Sequence, residues 1–337
     1  MSFERILGQN TAIQIITKAL QNSSVAHAYL FYGLESVGKK LTAIEFAKAL
    51  NCKEAETGSN CGDCPSCRKI DKGIHPDFFL IEPSQTTSSA REGIIKVEEI
   101  RELQRKLAYL PYEGKNKVAI IDGAETMNPQ AASCFLKTLE EPPASTVLIL
   151  IASNPFRLLQ TLVSRCQGIR FNPLPASVVR QIIKPKMEEG EIDPQELELR
   201  VMRSQGQVSR ALEEDVPAMT QNRKDLIQLL EKVSFNEMAL IFNWSKSCAG
   251  DAGQIPGLLD ELAGILRDVA FLKSGYNAKD ILNPDLAQPL RALANRKTIA
   301  SLLKMHDSVH ETKLALQGNA NKQLALENML LNFCEAA

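Results

Sequence analysis

Hydrophobic positions change their spacing about half-way along this 337-residue chain. Before about residue 175, short apolar runs alternate with amphipathic stretches. The runs are AYLFYG (28–33), DFFLIEP (77–83), KVAIIDGA (117–124), TVLILIASN (146–154) and GIRFNPLP (168–175). Most are continuous rather than alternating, the pattern of strands covered on both faces. Between them, 96–108 sets Val97, Ile100, Leu103 and Leu107 on one helical face. Residues 129–140 open on Pro129 and turn Ala132, Phe135, Leu136 and Leu139 inward. Strands alternating with helices predict a parallel, doubly wound α/β domain.

The strand signal ends at FNPLP. Residues 176 to about 213 predict a few short helices, with Pro185, Gly190 and Pro194 as breaks. From about 219 the spacing is helical throughout, which predicts an all-α bundle whose default role is packing or assembly. SQTTSSAREG (84–93) predicts a polar, mobile loop. The expected domains are 1–174, 175–215 and 216–337.

Composition adds constraints. Hydrophobic residues at 44% and charged residues at 23% describe a globular protein. A net charge of −1 gives no general attraction to nucleic acid, so any such contact needs a local patch or partner chains. The opening MSFERILGQN lacks the apolar core of a signal peptide. No stretch approaches the roughly 20 apolar residues that span a bilayer. A cytoplasmic location follows as the expectation, with reduced thiols, so the eight cysteines need a role other than disulfides.

Four of them form Cys52-x₈-Cys61-x₂-Cys64-x₂-Cys67, with Gly58, Gly62 and Pro65 shaping turns around them. Four thiols at this spacing can close a tetrahedral shell around structural zinc. A redox C-x-x-C is the competing reading, and the fourth thiol favours metal. Cys134, Cys248 and Cys334 read as small buried hydrophobes; Cys166 is set apart by its neighbours.

FYGLESVGKK (31–40) follows an apolar run and precedes a helical pattern. Gly33, Gly38 and Lys39 have the spacing of a phosphate-binding loop, whose N–H groups and lysine cradle an anion. The next residue should carry a hydroxyl for Mg²⁺, and here it is Lys40. Thr42, two residues on, points elsewhere on a helix. Asp122 at the end of a buried run suits a metal-side carboxylate, yet the next position is Gly123 rather than an acid, and Glu125 falls in the following turn. Two losses in one site suggest a site that does not turn over. Arg165 in LVSRCQGIRF reads either as a structural partner of a carboxylate or as a guanidinium acting on a phosphate held by another subunit.

Taken together, these residues resemble the AAA+ clamp-loader family of bacterial DNA polymerase III, and its delta-prime type in particular. LGQ near the start, HAYLFYG, the four-cysteine insertion (52–67), LKTLEEPP and SRC carry the resemblance; the last third fits by length and helicity. The resemblance implies a AAA+ P-loop domain, a small helical lid and an all-α C-terminal collar. It places Gly33, Gly38 and Lys39 at Walker A, Asp122 at Walker B, Asn154 at sensor 1, and Ser164, Arg165 and Cys166 at the SRC motif, whose arginine acts in trans. The lid motif is shifted: GQVSRAL puts Ser209 where the family has its sensor arginine, with Arg210 one place on.

The expected function is therefore a clamp-loader subunit without its own ATPase activity, in a heteropentamer with gamma/tau motor and delta subunits. It would help load the sliding clamp on primer-template DNA, with no membrane partner. ATP or ADP binding is left open. The alternatives are an ATP-hydrolysing gamma/tau-type motor, and a zinc-dependent scaffold or DNA-binding module unrelated to ATP.

Overall fold

The computed structural model describes residues 3–54, 59–84, 93–187, 194–213, 216–250, 255–278, 280–318 and 320–336. Residues 85–92 of the predicted polar loop, Gly58 and Gly190 lie outside them. The chain forms two compact units, Met1–Leu212 and Glu213–Ala337.

In the first unit, α1 (Asn10–Gln21) precedes β1 (Ala28–Tyr32), α2 (Lys39–Asn51), α3 (Pro65–Asp71), β2 (Phe78–Ile81), α4 (Val97–Leu107) and β3 (Lys117–Asp122). Then come α5 (Pro129–Glu140), β4 (Thr146–Ala152), α6 (Gln160–Val163) and β5 (Gln167–Arg170). The five strands make a parallel sheet in the order β2-β3-β4-β1-β5. β1 therefore lies between β4 and β5, with Phe31 opposite Ile151 on one side and Ile169 on the other.

Continuous apolar runs form β1, β3 and β4 because both faces are covered, whereas β5 at the sheet edge buries only Ile169. In β4, Val147, Ile149 and Ile151 join one core, beneath Ile16 of α1 and Ala43, Phe46 and Leu50 of α2. The alternate residues Leu148, Leu150 and Ala152 join the other, against Ile100, Leu103 and Leu107 of α4 and Phe135 and Leu139 of α5. α5 starts where Asn128 accepts the Ala131 N–H at 2.7 Å and Pro129 fills the first helical position.

Three short helices complete the unit: α7 (Ala176–Met187), α8 (Pro194–Arg203) and α9 (Val208–Glu213). Their Val179, Ile183, Val201 and Ala211 enter the core that also holds Phe31 and Phe171. Pro185 does not break a helix as the sequence predicts; it lies inside α7. It sits in the last turn, where one lost N–H removes little of the helix, and α7 ends two residues later at Met187. Pro194 opens α8, the place where proline is tolerated best.

The second unit is helical throughout: α10 (Val216–Lys232), α11 (Met238–Gly250), α12 (Ile255–Lys273), α13 (Ala287–Arg296), α14 (Ile299–Gln317) and α15 (Lys322–Ala336). Leu226, Leu259, Leu262, Leu290, Met305, Leu330 and Phe333 share its core. A polar pin crosses it. Arg223, 1% exposed, pairs with Asp285 at 2.9 Å, and the fully buried Asp268 accepts the N–H groups of Leu282 and Asn283. Among the described residues no helix is long and apolar enough to cross a membrane.

Candidate nucleotide cleft and metal centre

A cavity of about 590 Å³ opens at the carboxyl ends of the central strands. The loop between β1 and α2 supplies Glu35, Ser36, Gly38, Lys39 and Lys40 to its wall. Asp122 and Glu125 come from the end of β3 and the turn after it, and Ser153 and Arg157 follow β4. This is where parallel α/β sheets bind ligands, because loops from adjacent strands diverge there.

The two loop glycines do different work. Gly33 has φ +144°, and a Cβ there would lie 2.2 Å from the Phe171 carbonyl oxygen. It lets the loop leave β1 against the segment that follows β5. Gly38 has φ +98° and open space where a Cβ would be. It caps α2 without any side-chain hydrogen bond, so the first N–H groups of that helix are left for another acceptor. The Lys39 ammonium turns back onto its own loop, donating to the carbonyls of Gly33 and Leu34 at 2.5 Å each. Burial pushes its pKa down, against the pull of Glu125, Glu35 and Asp122.

Lys40 reaches across the cleft mouth. Its ammonium pairs with Glu82, beyond the end of β2, and lies 3.6 Å from Oδ2 of Asp122. A cation thus already stands between the start of α2 and the β3 carboxylate. Burial raises the Asp122 pKa, Lys40 opposes the rise, and Glu82 adds to it. Thr42 is turned into its own helix, donating to the Gly38 carbonyl at 2.8 Å, so it offers no substitute hydroxyl.

Glu125 enters the cleft wall despite its displacement in sequence. Its Oε1 accepts from the Ser153 N–H at 2.6 Å and from the Ser153 hydroxyl, while Oε2 is buried without a partner. Asn154, the residue at the sensor-1 place, is not part of that wall. Its oxygen accepts the Phe156 N–H at 3.0 Å and caps the turn Pro155–Arg157, and Ser153 faces the cleft in its stead. Pro155 starts that turn and recruits the amide as a cap, which the sequence position alone did not reveal. Neither Ser209 nor Arg210 lines the cleft. The lid instead meets the loop through its backbone, the Val208 N–H donating to the Ser36 carbonyl at 3.2 Å.

Arg165 lies just past α6 and outside its own chain's cleft wall. Its guanidinium donates to the Thr161 carbonyl at 3.0 Å and pairs with Glu140 at 2.7 Å while remaining 37% exposed. The neighbouring Cys166 thiol is packed among apolar groups, and burial pushes it up to about 12.

The four cysteines of the insertion converge. Their sulfur atoms all lie within 4.8 Å of one another, with Cys52 3.6 Å from Cys61 and 4.0 Å from Cys64. A tetrahedron with metal–sulfur bonds of about 2.3 Å has edges of roughly 3.8 Å, so this spacing fits one metal ion and is far too long for a disulfide. Backbone N–H groups of Cys61, Cys64 and Cys67 point at the sulfurs of Cys52, Cys61 and Cys64. Such donors stabilise thiolates. Cys52 directly follows the last residue of α2, the helix that Lys39 begins. Asn60 ties the insertion to the same helix, donating to Glu45 Oε2 at 2.9 Å.

Comparison with known proteins agrees with this architecture. The family described as "DNA polymerase III, delta subunit" matches residues 8–175, and its C-terminal counterpart, "DNA polymerase III, delta subunit, C terminal", matches 217–335. The chain belongs to the DNA polymerase III delta-subunit family. Within it, "DNA polymerase III subunit delta'" of Bacillus subtilis is 29% identical over 96% of this chain and 95% of that protein. The Pseudomonas aeruginosa protein of the same name is 29% identical over 91% and 92%. "DNA polymerase III subunit tau" of Escherichia coli is 32% identical, over 63% of this chain but only 32% of its own length. Near-complete coverage of both delta-prime proteins, against a third of the tau protein, aligns this chain with the delta-prime type.

Proposed function

We propose that this chain is a clamp-loader subunit of the delta-prime type that does not hydrolyse ATP itself and acts on a neighbour's nucleotide through Arg165. The observation that carries the first half is Lys40. Phosphoryl transfer in P-loop proteins relies on a metal held by the hydroxyl after the Walker lysine and by the β3 carboxylate. Here that hydroxyl is missing, and an ammonium pairs with Glu82 and stands beside Asp122. The trans role of Arg165 is supported by its partial exposure and its place outside its own cleft; Glu140 holds the guanidinium ready. Exchanging one partially exposed carboxylate for a phosphate costs such a cation little.

In this reading residues 175–215 serve as the lid, 216–337 as the collar that assembles a cytoplasmic heteropentamer, and the partners are gamma/tau-type motors, the delta subunit, the sliding clamp and primer-template DNA. Cys52, Cys61, Cys64 and Cys67 would hold a structural zinc ion, which would cross-link the end of α2 to α3 without an open coordination position.

A second reading, a chain with turnover of its own, is favoured by one observation: Glu125 brings a second carboxylate into the cleft wall beside Asp122. Phosphate release by the purified chain separates the two. The first reading expects no ATPase above background; turnover that Lys39→Ala abolishes would establish the second.

A further inference from the structure

We propose that a metal ion held by the four cysteines braces segment 112–116, a stretch outside the insertion that leads from α4 into β3. This rests on the metal reading of the cysteines and gives that centre a task beyond its own sulfurs.

The segment needs holding from outside. Tyr109, Leu110 and Tyr112 are 75%, 76% and 85% exposed, so their packing adds little to fix the backbone beside them. Three ties fix it instead, and each leads back to the cysteines. In the first, the Asp77 carboxylate, 1% exposed, accepts the N–H groups of Tyr112, Glu113 and Gly114 at 2.7, 2.8 and 2.8 Å. Asp77 is set in turn by His75, whose Nδ1 accepts the Asp77 N–H at 3.1 Å. That leaves the imidazole proton on Nε2, which donates to the Ser66 hydroxyl at 3.2 Å. Ser66 lies in the first turn of α3, between Cys64 and Cys67. In the second, Asn51, the residue before Cys52, donates to the Asn116 carbonyl and accepts its N–H, both at 3.0 Å. In the third, Lys69 of α3 pairs with Glu113 at 2.6 Å; both groups are partly exposed, so this tie contributes least.

These ties are only as firm as the residues they start from. Ile70 holds the far end of α3 in the sheet core. The first turn, with Ser66, is placed by Cys67 and by Cys64, which caps the helix. Among the described residues of the insertion, the buried apolar cluster consists of the cysteines alone. Thiols without an ion share no bond, so loss of the metal frees the insertion, and Ser66 with it. The route from Ser66 through His75 and Asp77 then carries that loosening to 112–114.

Hydrogen exchange of the full-length chain, read on overlapping peptides across 107–117 and across β4, tests this with metal content measured in every sample. Zinc is removed by a chelator with the thiols kept reduced, and then returned. Metal loss should speed exchange at 112–114 by about tenfold or more, zinc should reverse it, and β4 should stay protected. Asp77→Asn should keep its metal and exchange fast at 112–114 from the outset, and zinc removal should then add less than about threefold. Exchange at 112–114 that ignores a verified loss of metal overturns the brace while leaving the metal reading intact. Equal loss of protection in β4 overturns it too, because the ion would then hold the whole unit rather than this segment. Additive effects of Asp77→Asn and zinc removal overturn the route through His75. A chain that binds no zinc even when it is supplied removes the metal reading and the brace together.

Discussion

Gly33 and Gly38 carry the same motif letter, yet the structure asks different things of them, and alanine at each position measures the difference. At Gly33 two costs add. A φ of +144° belongs to a region that residues with a side chain avoid, at about 1–3 kcal/mol. The new Cβ would also meet the Phe171 carbonyl oxygen at 2.2 Å, about 1 Å inside normal contact. That oxygen belongs to backbone held by the Phe171 N–H, which donates to the Tyr32 carbonyl at 2.8 Å, so it cannot swing aside as a side chain would. Forcing the end of β1 away from the chain after β5 adds about 1–3 kcal/mol. Gly33→Ala should therefore lose about 2–6 kcal/mol. At Gly38 only the backbone cost applies, because nothing lies within 4 Å of the added atom, and Gly38→Ala should lose about 1–2 kcal/mol. Guanidinium denaturation followed by circular dichroism, with hydrogen exchange of the β1 and β5 amides, reads both. Equal losses at the two positions, or a loss below about 1 kcal/mol at Gly33, would refute the close approach.

Two further outcomes follow from the cysteines. Elemental analysis should find one metal ion per chain, and Cys67→Ser, which removes a fully buried member of the set, should reduce the metal content sharply and loosen the segment between Cys52 and Asp71; an unchanged content would remove the metal centre. Burial raises the Cys166 thiol from 9.0 to about 12, which favours the protonated native state. Its contribution to stability is thus complete below about pH 9 and is lost as pH climbs toward 12, and alkylation near pH 8 should lag well behind that of a peptide thiol. Labelling at the peptide rate would show that the thiol is not held this way.

Much of the fold was legible because its signals are local. Five apolar runs became five parallel strands, and the helical faces of α4 and α5 fell on Ile100, Leu103, Leu107, Phe135 and Leu139 as their spacing predicts. The cysteine cluster was legible for the same reason, with its four members spread over only sixteen residues. The cleft was less so, because its chemistry depends on neighbours set by the sheet order. Lys40 reads as a missing hydroxyl until pairing of β2 with β3 brings Glu82 to the same ammonium as Asp122. Glu125 looks too far past Asp122 until the turn Ala124–Thr126 carries it back to Ser153. The choice of Ser153 over Asn154 at the cleft depends on a single capping hydrogen bond to Phe156, and Pro185 stays inside α7 because a proline near a helix end costs less than one in its middle.

In the proposed function this chain keeps a cation, Arg165, for a neighbour's phosphates and has no turnover at its own cleft. Steady-state ATP hydrolysis by the clamp loader reassembled with motor and delta subunits on primed DNA tests it most directly, comparing Arg165→Ala with Lys39→Ala in this chain. Arg165→Ala should lower the rate while the complex stays assembled, and Lys39→Ala should leave it unchanged; a rate that falls with Lys39→Ala and ignores Arg165→Ala would overturn the trans role.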